Sequence, residues 1–394
     1  MEKADLDDLL QTMLSSYEAD LSDLFFVVDR PLQVEHSGVL KEVKLKPGLA
    51  FGSLSPFQTS QVVKTLINGN PRLKESLENT GSCDLAYSLR DIARFRVNIF
   101  SAKKNYAIVL RKLQTQVPTL QDIKSPTIFS EVIKEKNGLI LVTGATGSGK
   151  STTLAAMLRQ LNESHAVHVV TLEDPIEFVH QNIKSTFNQR ELGADFDNFP
   201  RGLRAALRQA PKVILVGEMR DRETMEIALT AAETGHLVLS TLHTVNAGQT
   251  INRIIGMFDK DQEEQVRHRL AETLRWVICQ RLVKKVGGGR VAVHEIMGSN
   301  LRTTELILRG EDELKNFFSV LETSEPLGWQ TFEGCLLRLY KEGQISEEEA
   351  LLNSTRKNAM RQKIDFVKNQ KGEKTTDLEN LKLDAEYENR VAPK

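Results

Sequence analysis

The stretch Gly144-Ala-Thr-Gly147-Ser-Gly149-Lys150-Ser151 directly follows the apolar run Leu139–Val142 and Thr143. It fits G-x-x-x-x-G-K-[ST], in which glycines permit a turn that aims backbone N–H groups at a phosphate chain while the next helix presents its positive end. A strand, this loop and a helix in succession point to a parallel sheet covered by helices. Gly144, Thr146, Gly147, Ser148, Gly149, Lys150, Ser151 and Thr152 are therefore the expected set that binds the phosphates of a nucleotide. Lys150 should reach the β- and γ-phosphates, and the Ser151 hydroxyl should hold Mg²⁺.

Three further apolar β runs follow, at Val167–Leu172, Val213–Val216 and Leu237–Leu242, separated by helical stretches. The first ends in Glu173-Asp174-Pro175-Ile176-Glu177 and the second in Gly217-Glu218-Met219-Arg220-Asp221. Ligands of parallel α/β sheets sit at the carboxyl ends of strands, so these acids should converge on the loop. Hydrolysis needs a carboxylate to orient and deprotonate a water. Glu218 is the candidate base and, with Ser151, a candidate Mg²⁺ ligand; Glu173 and Glu177 are the supporting carboxylates. The last run ends in Ser240-Thr241-Leu242-His243-Thr244 and is preceded by Gly235-His236. Imidazole and hydroxyl groups donate hydrogen bonds to phosphate oxygens, which makes His243 and His236 candidate γ-phosphate sensors.

Composition narrows the function classes. The chain has 394 residues, enough for two to three domains, and 52 Lys+Arg against 53 Asp+Glu leave a net charge of −1. That balance gives no basic groove for a nucleic-acid backbone, and there is no aromatic-plus-basic stacking platform. A nucleic-acid motor is disfavoured on both counts. Neither a DxxG element nor an NKxD stretch occurs, which argues against a switch GTPase. Cys83, Cys279 and Cys335 form no CxxC pair, so neither a thiolate zinc site nor a disulfide framework is expected, and a reducing cytoplasm is the simplest setting. The acidic opening and the lack of an apolar run of about 18 residues suggest a soluble protein that reaches membranes through a partner.

No internal repeat of fixed period is present, so the domains should differ in kind. Residues 1–113 mix an amphipathic opening (Leu6, Leu9, Leu10, Met13, Leu14) with strand-like stretches at Leu24–Val28 and Phe95–Phe100, as in a small α+β domain. Residues 114–123 read as a linker, 124–258 as the phosphate-loop core and 259–369 as a helical C-terminal subdomain. Within the last, the chain reads as helix from Asp261 to about Val286, and Ser346 with Glu349 forms a capping box. Residues 370–394 are highly charged and read as a mobile tail or a helix formed on binding.

Taken together, these elements resemble the secretion-ATPase superfamily, most closely its type IV pilus retraction ATPases of the PilT/PilU type. GATGSGKSTTLAAML resembles the family's Walker A, TLEDPIEF its Asp box, VILVGEMRDRET its Walker B and STLHT its His box; TAAETGHLV, GGGRVAVHEIM and ARFRVNIF are also similar. The resemblance covers roughly residues 20–365. It implies a PAS-like N-terminal domain and a RecA-like ATPase domain, assembled as a homohexamer with nucleotide between the two domains. It also implies work on an inner-membrane platform protein of the pilus machine, from the cytoplasmic face. On the family pattern, Glu177 is the important second glutamate of the Asp box, Glu218 the Walker B glutamate, and Arg94, Arg96 and Arg111 the arginines that reach the nucleotide. Such arginines stabilise the transferring phosphoryl group.

Three departures stand out. The family's Gln-x-Arg-Gly is Ala102-Lys103-Lys104-Asn105 here, and lysine does not reproduce a bidentate phosphate contact. Ala210-Pro211-Lys212 replaces an acidic Asp-Pro-Asp, and the helical retraction signature is degenerate in Leu301–Arg309. The Lys104 substitution and the degenerate Leu301–Arg309 stretch make an accessory subunit, working with an active paralogue, the alternative to an autonomous motor; the Ala210-Pro211-Lys212 change has no physical account. Absence of the four-cysteine zinc site of assembly ATPases favours the retraction side.

Overall fold

The computed structural model describes residues 1–17, 21–43, 52–90, 92–113 and 116–372. The tail expected beyond residue 372, and residues 114 and 115 of the expected linker, lie outside the described residues. The chain forms two compact units, one of Met1–Leu139 with Ser151–Thr241, the other of Ile140–Lys150 with Leu242 onward.

The first sheet has six strands in the order β3-β2-β1-β6-β5-β4. They are β1 (Leu21–Phe26), β2 (Gln33–His36), β3 (Val39–Glu42), β4 (Ser82–Leu89), β5 (Ala93–Ala102) and β6 (Asn105–Leu113), and every neighbouring pair is antiparallel. Period-2 alternation sorts β5 into a buried face of Phe95, Val97 and Ile99 and a second face bearing Arg94, Arg96 and Asn98. Helices α1 (Lys3–Ser15), α2 (Pro56–Ile67) and α3 (Pro71–Thr80) share that core. Leu6, Leu10 and Met13, one helical stripe, are fully buried in it, and Leu9 and Leu14 pack at its margin. Burial of such side chains contributes about 1.5–3 kcal/mol each. The β5–β6 hairpin closes on Lys103 and Lys104, both left-handed at φ 51° and 64°, where Asn-Gly is the usual choice.

The second sheet has seven strands in the order β13-β12-β7-β11-β10-β8-β9. They are β7 (Gly138–Thr143), β8 (His168–Glu173), β9 (Thr186–Glu191), β10 (Val213–Val216), β11 (Leu237–Leu242), β12 (Leu274–Lys284) and β13 (Arg290–Gly298). The run β9, β8, β10, β11 is parallel, and β7, β10 and β11 are buried along their whole length, as a sheet covered on both faces requires. Helix α4 (Phe129–Val132) precedes β7, helices α5 (Lys150–Ser164), α6 (Phe199–Ala206) and α7 (Arg222–Glu233) lie between these strands in sequence, and α8 (Ala247–Ile255) follows β11.

One expectation fails. The helix anticipated from Asp261 to about Val286 stops at Thr273: only α9 (Glu263–Thr273) is helical, and Leu274–Lys284 is strand β12. Trp276, Val277, Ile278 and Val283 favour a pleated surface, and nine register pairs with β13, from Trp276↔Gly298 to Lys284↔Arg290, satisfy the backbone there. Past Leu301 the chain is helical as expected, in α10 (Leu301–Arg309), α11 (Phe317–Glu322), α12 (Phe332–Lys341), α13 (Glu347–Asn353) and α14 (Lys357–Gln370). The Ser346 cap is one-sided: its hydroxyl accepts from Glu349 N, whereas the Glu349 carboxylate accepts from Lys284 N and Asn353.

Candidate active site

In the second unit the loop after β7 takes its shape from three glycines with left-handed or mirror-image φ: Gly144 (146°), Gly147 (77°) and Gly149 (89°). At two of them an added side chain would meet Gln280. A Cβ on Gly144 would lie 2.3 Å from the Gln280 carbonyl, and one on Gly149 would lie 2.8 Å from Gln280 Nε2. Gln280, buried on β12, donates from that nitrogen to Ser148 O at 2.7 Å, so the loop is pinned from the hairpin side. Lys150 Nζ donates to Gly144 O (2.8 Å) and Ala145 O (3.1 Å). Thr146 and Gly147 stand exposed on the loop, Ser151 is exposed and Thr152 half-buried in the first turn of α5, and Ser148 is buried. Gly144 N donates to Leu242 O, which ties the loop to the residue before His243.

His243 is exposed between buried Leu242 and buried Thr244. Thr244 Oγ1 meets Thr250 Oγ1 at 2.7 Å, and α8 begins with Ala247 N donating to the buried Glu295 carboxylate at 2.8 Å. Burial pushes the Glu295 carboxyl up to about 7, a rise that the Ala247 N–H opposes and nearby Glu333 and Glu311 reinforce.

In the first unit, Gly217 follows β10 with its N–H on Leu172 O, and Thr241 Oγ1 donates to Gly217 O at 2.7 Å. Those bonds set the backbone from which Glu218 projects. Glu218 Oε2 pairs with Arg220 at 2.8 Å, but the Arg220 side chain is 74% exposed, so water screens the pair and it holds Glu218 weakly. After β8, Glu173 accepts from Thr171 Oγ1 (2.6 Å) and Gln189 Nε2 (3.0 Å). Burial raises its carboxyl to about 7, with the Glu177 charge adding to the rise and the Arg94 charge opposing it. Arg94, from β5, lies 2.7 Å from Glu191 Oε2. The structure thus brings Arg94, Glu173 and Glu177 into one electrostatic neighbourhood, with Glu191 as the ion partner.

The other two arginines lie in one cross-strand row. Arg96 faces Arg111, and Arg111 faces Asp23, whose buried carboxylate accepts from Arg111 Nε at 2.8 Å. His236 precedes β11 whereas His243 follows it; His236 Nδ1 lies 3.0 Å from Ala231 O and its backbone carbonyl accepts from Gly138 N. The structure therefore places the two histidines at opposite ends of the strand.

Sequence reading missed Gln280, Gln189, Glu191 and Asp23. Gln280 lay in the segment taken for helix, although a lone glutamine inside VICQRLV is a polar residue in a buried run, which is itself a signal. Gln189 and Glu191 belong to an edge strand too polar to register as one, and Asp23 carries no motif.

Residues 77–289 match the family model for type II/IV secretion system proteins. The type IV pilus retraction ATPase PilT of Pseudomonas aeruginosa is 41% identical over 87% of this chain and 97% of its own length. The type IV pilus ATPase PilU of the same organism is 40% identical over 86% and 87%. A crystal structure of the pilus retraction motor PilT with bound ADP superposes with a TM-score of 0.78 at 37% identity, covering 91% of this chain and 98% of that one. The glycine-built phosphate loop, the acids that follow successive parallel strands and these likenesses agree: the chain belongs to the type II/IV secretion system protein family, in the branch of the type IV pilus retraction ATPases.

Proposed function

We propose that this chain is a ring-forming ATPase that couples Mg-ATP hydrolysis to type IV pilus retraction. The observation that carries the reading is the Gly144–Lys150 loop, packed so that a Cβ at Gly144 would run into backbone, in a chain 41% identical to a pilus retraction ATPase. A cradle of this kind suits a phosphate chain, because the backbone N–H groups approach it without side chains in the way.

In this proposal Lys150 leaves the loop carbonyls and turns to the β- and γ-phosphates. The described residues hold no group of three His, Cys, Asp or Glu side chains that would bind a metal by itself. Ser151 and Glu218 would therefore share the Mg²⁺ shell with nucleotide oxygens, and the ion would supply charge neutralisation on the phosphates. Glu218, helped by Glu173 and Glu177, takes the proton of the attacking water. His243 senses the γ-phosphate, His236 at the other end of β11 acts through the strand and not on the phosphate, and Arg94, Arg96 and Arg111 meet the developing charge. The domain division 1–113, 124–258 and 259–369 is proposed with these roles. So are the homohexamer, the platform-protein partner and a place at the inner-membrane face; no described helix is long and apolar enough to cross a membrane.

Glu218→Gln should retain ATP binding and lose turnover by about 10²–10⁴-fold, with Lys150→Ala as the binding control. Wild-type turnover in Glu218→Gln would sink the assignment. A second reading, an accessory subunit with little turnover of its own, draws on the near-equal identity to PilU, 40% against 41%. Steady-state hydrolysis by the isolated ring separates the two: vigorous turnover removes the accessory reading, and tight binding with negligible turnover supports it.

A further inference from the structure

The Glu173–His180 segment makes a bend-rich excursion with little regular structure, so its backbone groups need partners from elsewhere. Edge strand β9 provides them, from two residues on one face. Gln189 accepts from His180 N (2.7 Å) and donates to Phe178 O (2.8 Å) and to Glu173 Oε1 (3.0 Å). Glu191 accepts from Ile176 N at 3.2 Å, and Leu192 N, next along, donates to Glu173 O at 2.8 Å. The same Glu191 oxygen that holds Ile176 N also holds Arg94 Nη2 at 2.7 Å.

Both members of that ion pair are mostly shielded, 20% and 13% exposed, so the pair is stronger than a surface bridge. Arg94 Nε is buried with no hydrogen-bond partner among the described residues. One atom of Glu191 therefore decides where the arginine of the N-terminal sheet sits. It also decides where the peptide just before Glu177 sits. Glu191 itself is oriented by its own N–H, which donates to Asp195 Oδ2 at 2.8 Å.

We infer that Glu191 is a positioning residue that joins the N-terminal sheet to the loop carrying Glu177, so that Arg94 and that loop are released or held together. Gln189 acts as the fixed anchor of the same loop, and Glu191 as the part that responds to Arg94. The role is distinct from those of the carboxylates that act on water, because Glu191 works through Ile176 N and Arg94. The kinetic arm of the test rests on the ATPase reading; the structural arm does not.

The structural arm is amide hydrogen exchange of residues 174–181 in the full-length protein without nucleotide. Glu191→Ala should speed exchange there by about tenfold, the effect of losing a charge-assisted hydrogen bond. Arg94→Gln should speed the same segment although Arg94 bonds none of its amides, which a merely local role for Glu191 would not produce. Glu191→Gln keeps an acceptor for Ile176 N and the side-chain shape, so it should fall between wild type and Glu191→Ala and serves should the alanine variant fold poorly. In the kinetic arm, Glu191→Ala should lower kcat about tenfold and leave the KM for ATP within about twofold, since the loop is not part of the phosphate cradle. Unchanged exchange in Glu191→Ala, or in Arg94→Gln, overturns the inference. A wild-type ring that binds ATP without turning it over removes the autonomous ATPase reading instead, and leaves the exchange result to decide on Glu191.

Discussion

In the second unit, the phosphate loop is held by groups that water does not reach: buried Gln280 against Ser148 O, and Gly144 backed by the Gln280 carbonyl. In the N-terminal sheet, Arg111 is held on Asp23 by a side chain that is itself 69% exposed, and the hairpin beyond it turns on two strained lysines. The loop is defined by sterics and backbone, whose energies are steep and local. The Arg111 contact is defined by an ion pair open to water, whose energy is shallow and which exchanges partners at low cost.

The sharpest way to break this comparison is Gly144→Ala. With a Cβ 2.3 Å from a backbone oxygen and φ at 146°, the change should cost about 3 kcal/mol and remove nucleotide binding, read by denaturant melts and ATP titration. A mild effect would mean that the cradle is as pliable as the Arg111 contact. Glu295→Gln comes next. Glu295 holds its proton up to about 7 when folded against an ordinary value of 4.5, so the stability it brings is full below about pH 4.5 and lost as pH rises through 7. Wild type should therefore lose about 3 kcal/mol relative to Glu295→Gln between pH 4.5 and 8, measured by urea unfolding at both ends of the range. A flat difference would place Glu295 with the screened charges.

Smaller effects belong to the N-terminal sheet. Arg111→Gln should change stability by no more than about 1 kcal/mol, because most of its side chain lies in water, while turnover falls if it reaches nucleotide. Lys104→Gly should stabilise the chain by about 0.5 kcal/mol, the relief of a left-handed non-glycine residue less the entropy glycine adds to the unfolded state. Thermal melts resolve both.

Legibility followed the same divide. The strands β7, β8, β10 and β11 announced themselves because buried parallel strands are unbroken apolar runs, and the phosphate loop because only glycine fits its backbone. Strand β12 is ambiguous in sequence: LRWVICQRLVK is apolar at helical and strand spacings alike, and its strand character is fixed by antiparallel pairing with β13, the next strand in the chain. Strand β9 was passed over because THR186-Phe-Asn-Gln-Arg-Glu191 has one buried residue and five polar ones, and an edge strand that holds a loop with its side chains looks like a loop itself. Glu191 and Asp23 were invisible for a related reason, since each takes its meaning from an arginine roughly a hundred positions away.

The β12–β13 hairpin carries Gln280 on one strand and, one register step from its partner, Glu295 on the other. Gln280 grips the phosphate loop, and Glu295 grips the start of the helix just past His243. The nine-pair ladder makes the hairpin stiff, and its tip is a run of three glycines, Gly287 to Gly289, all left-handed. Both loops thus take their hold from one hairpin, and a change in its register would reach the two together.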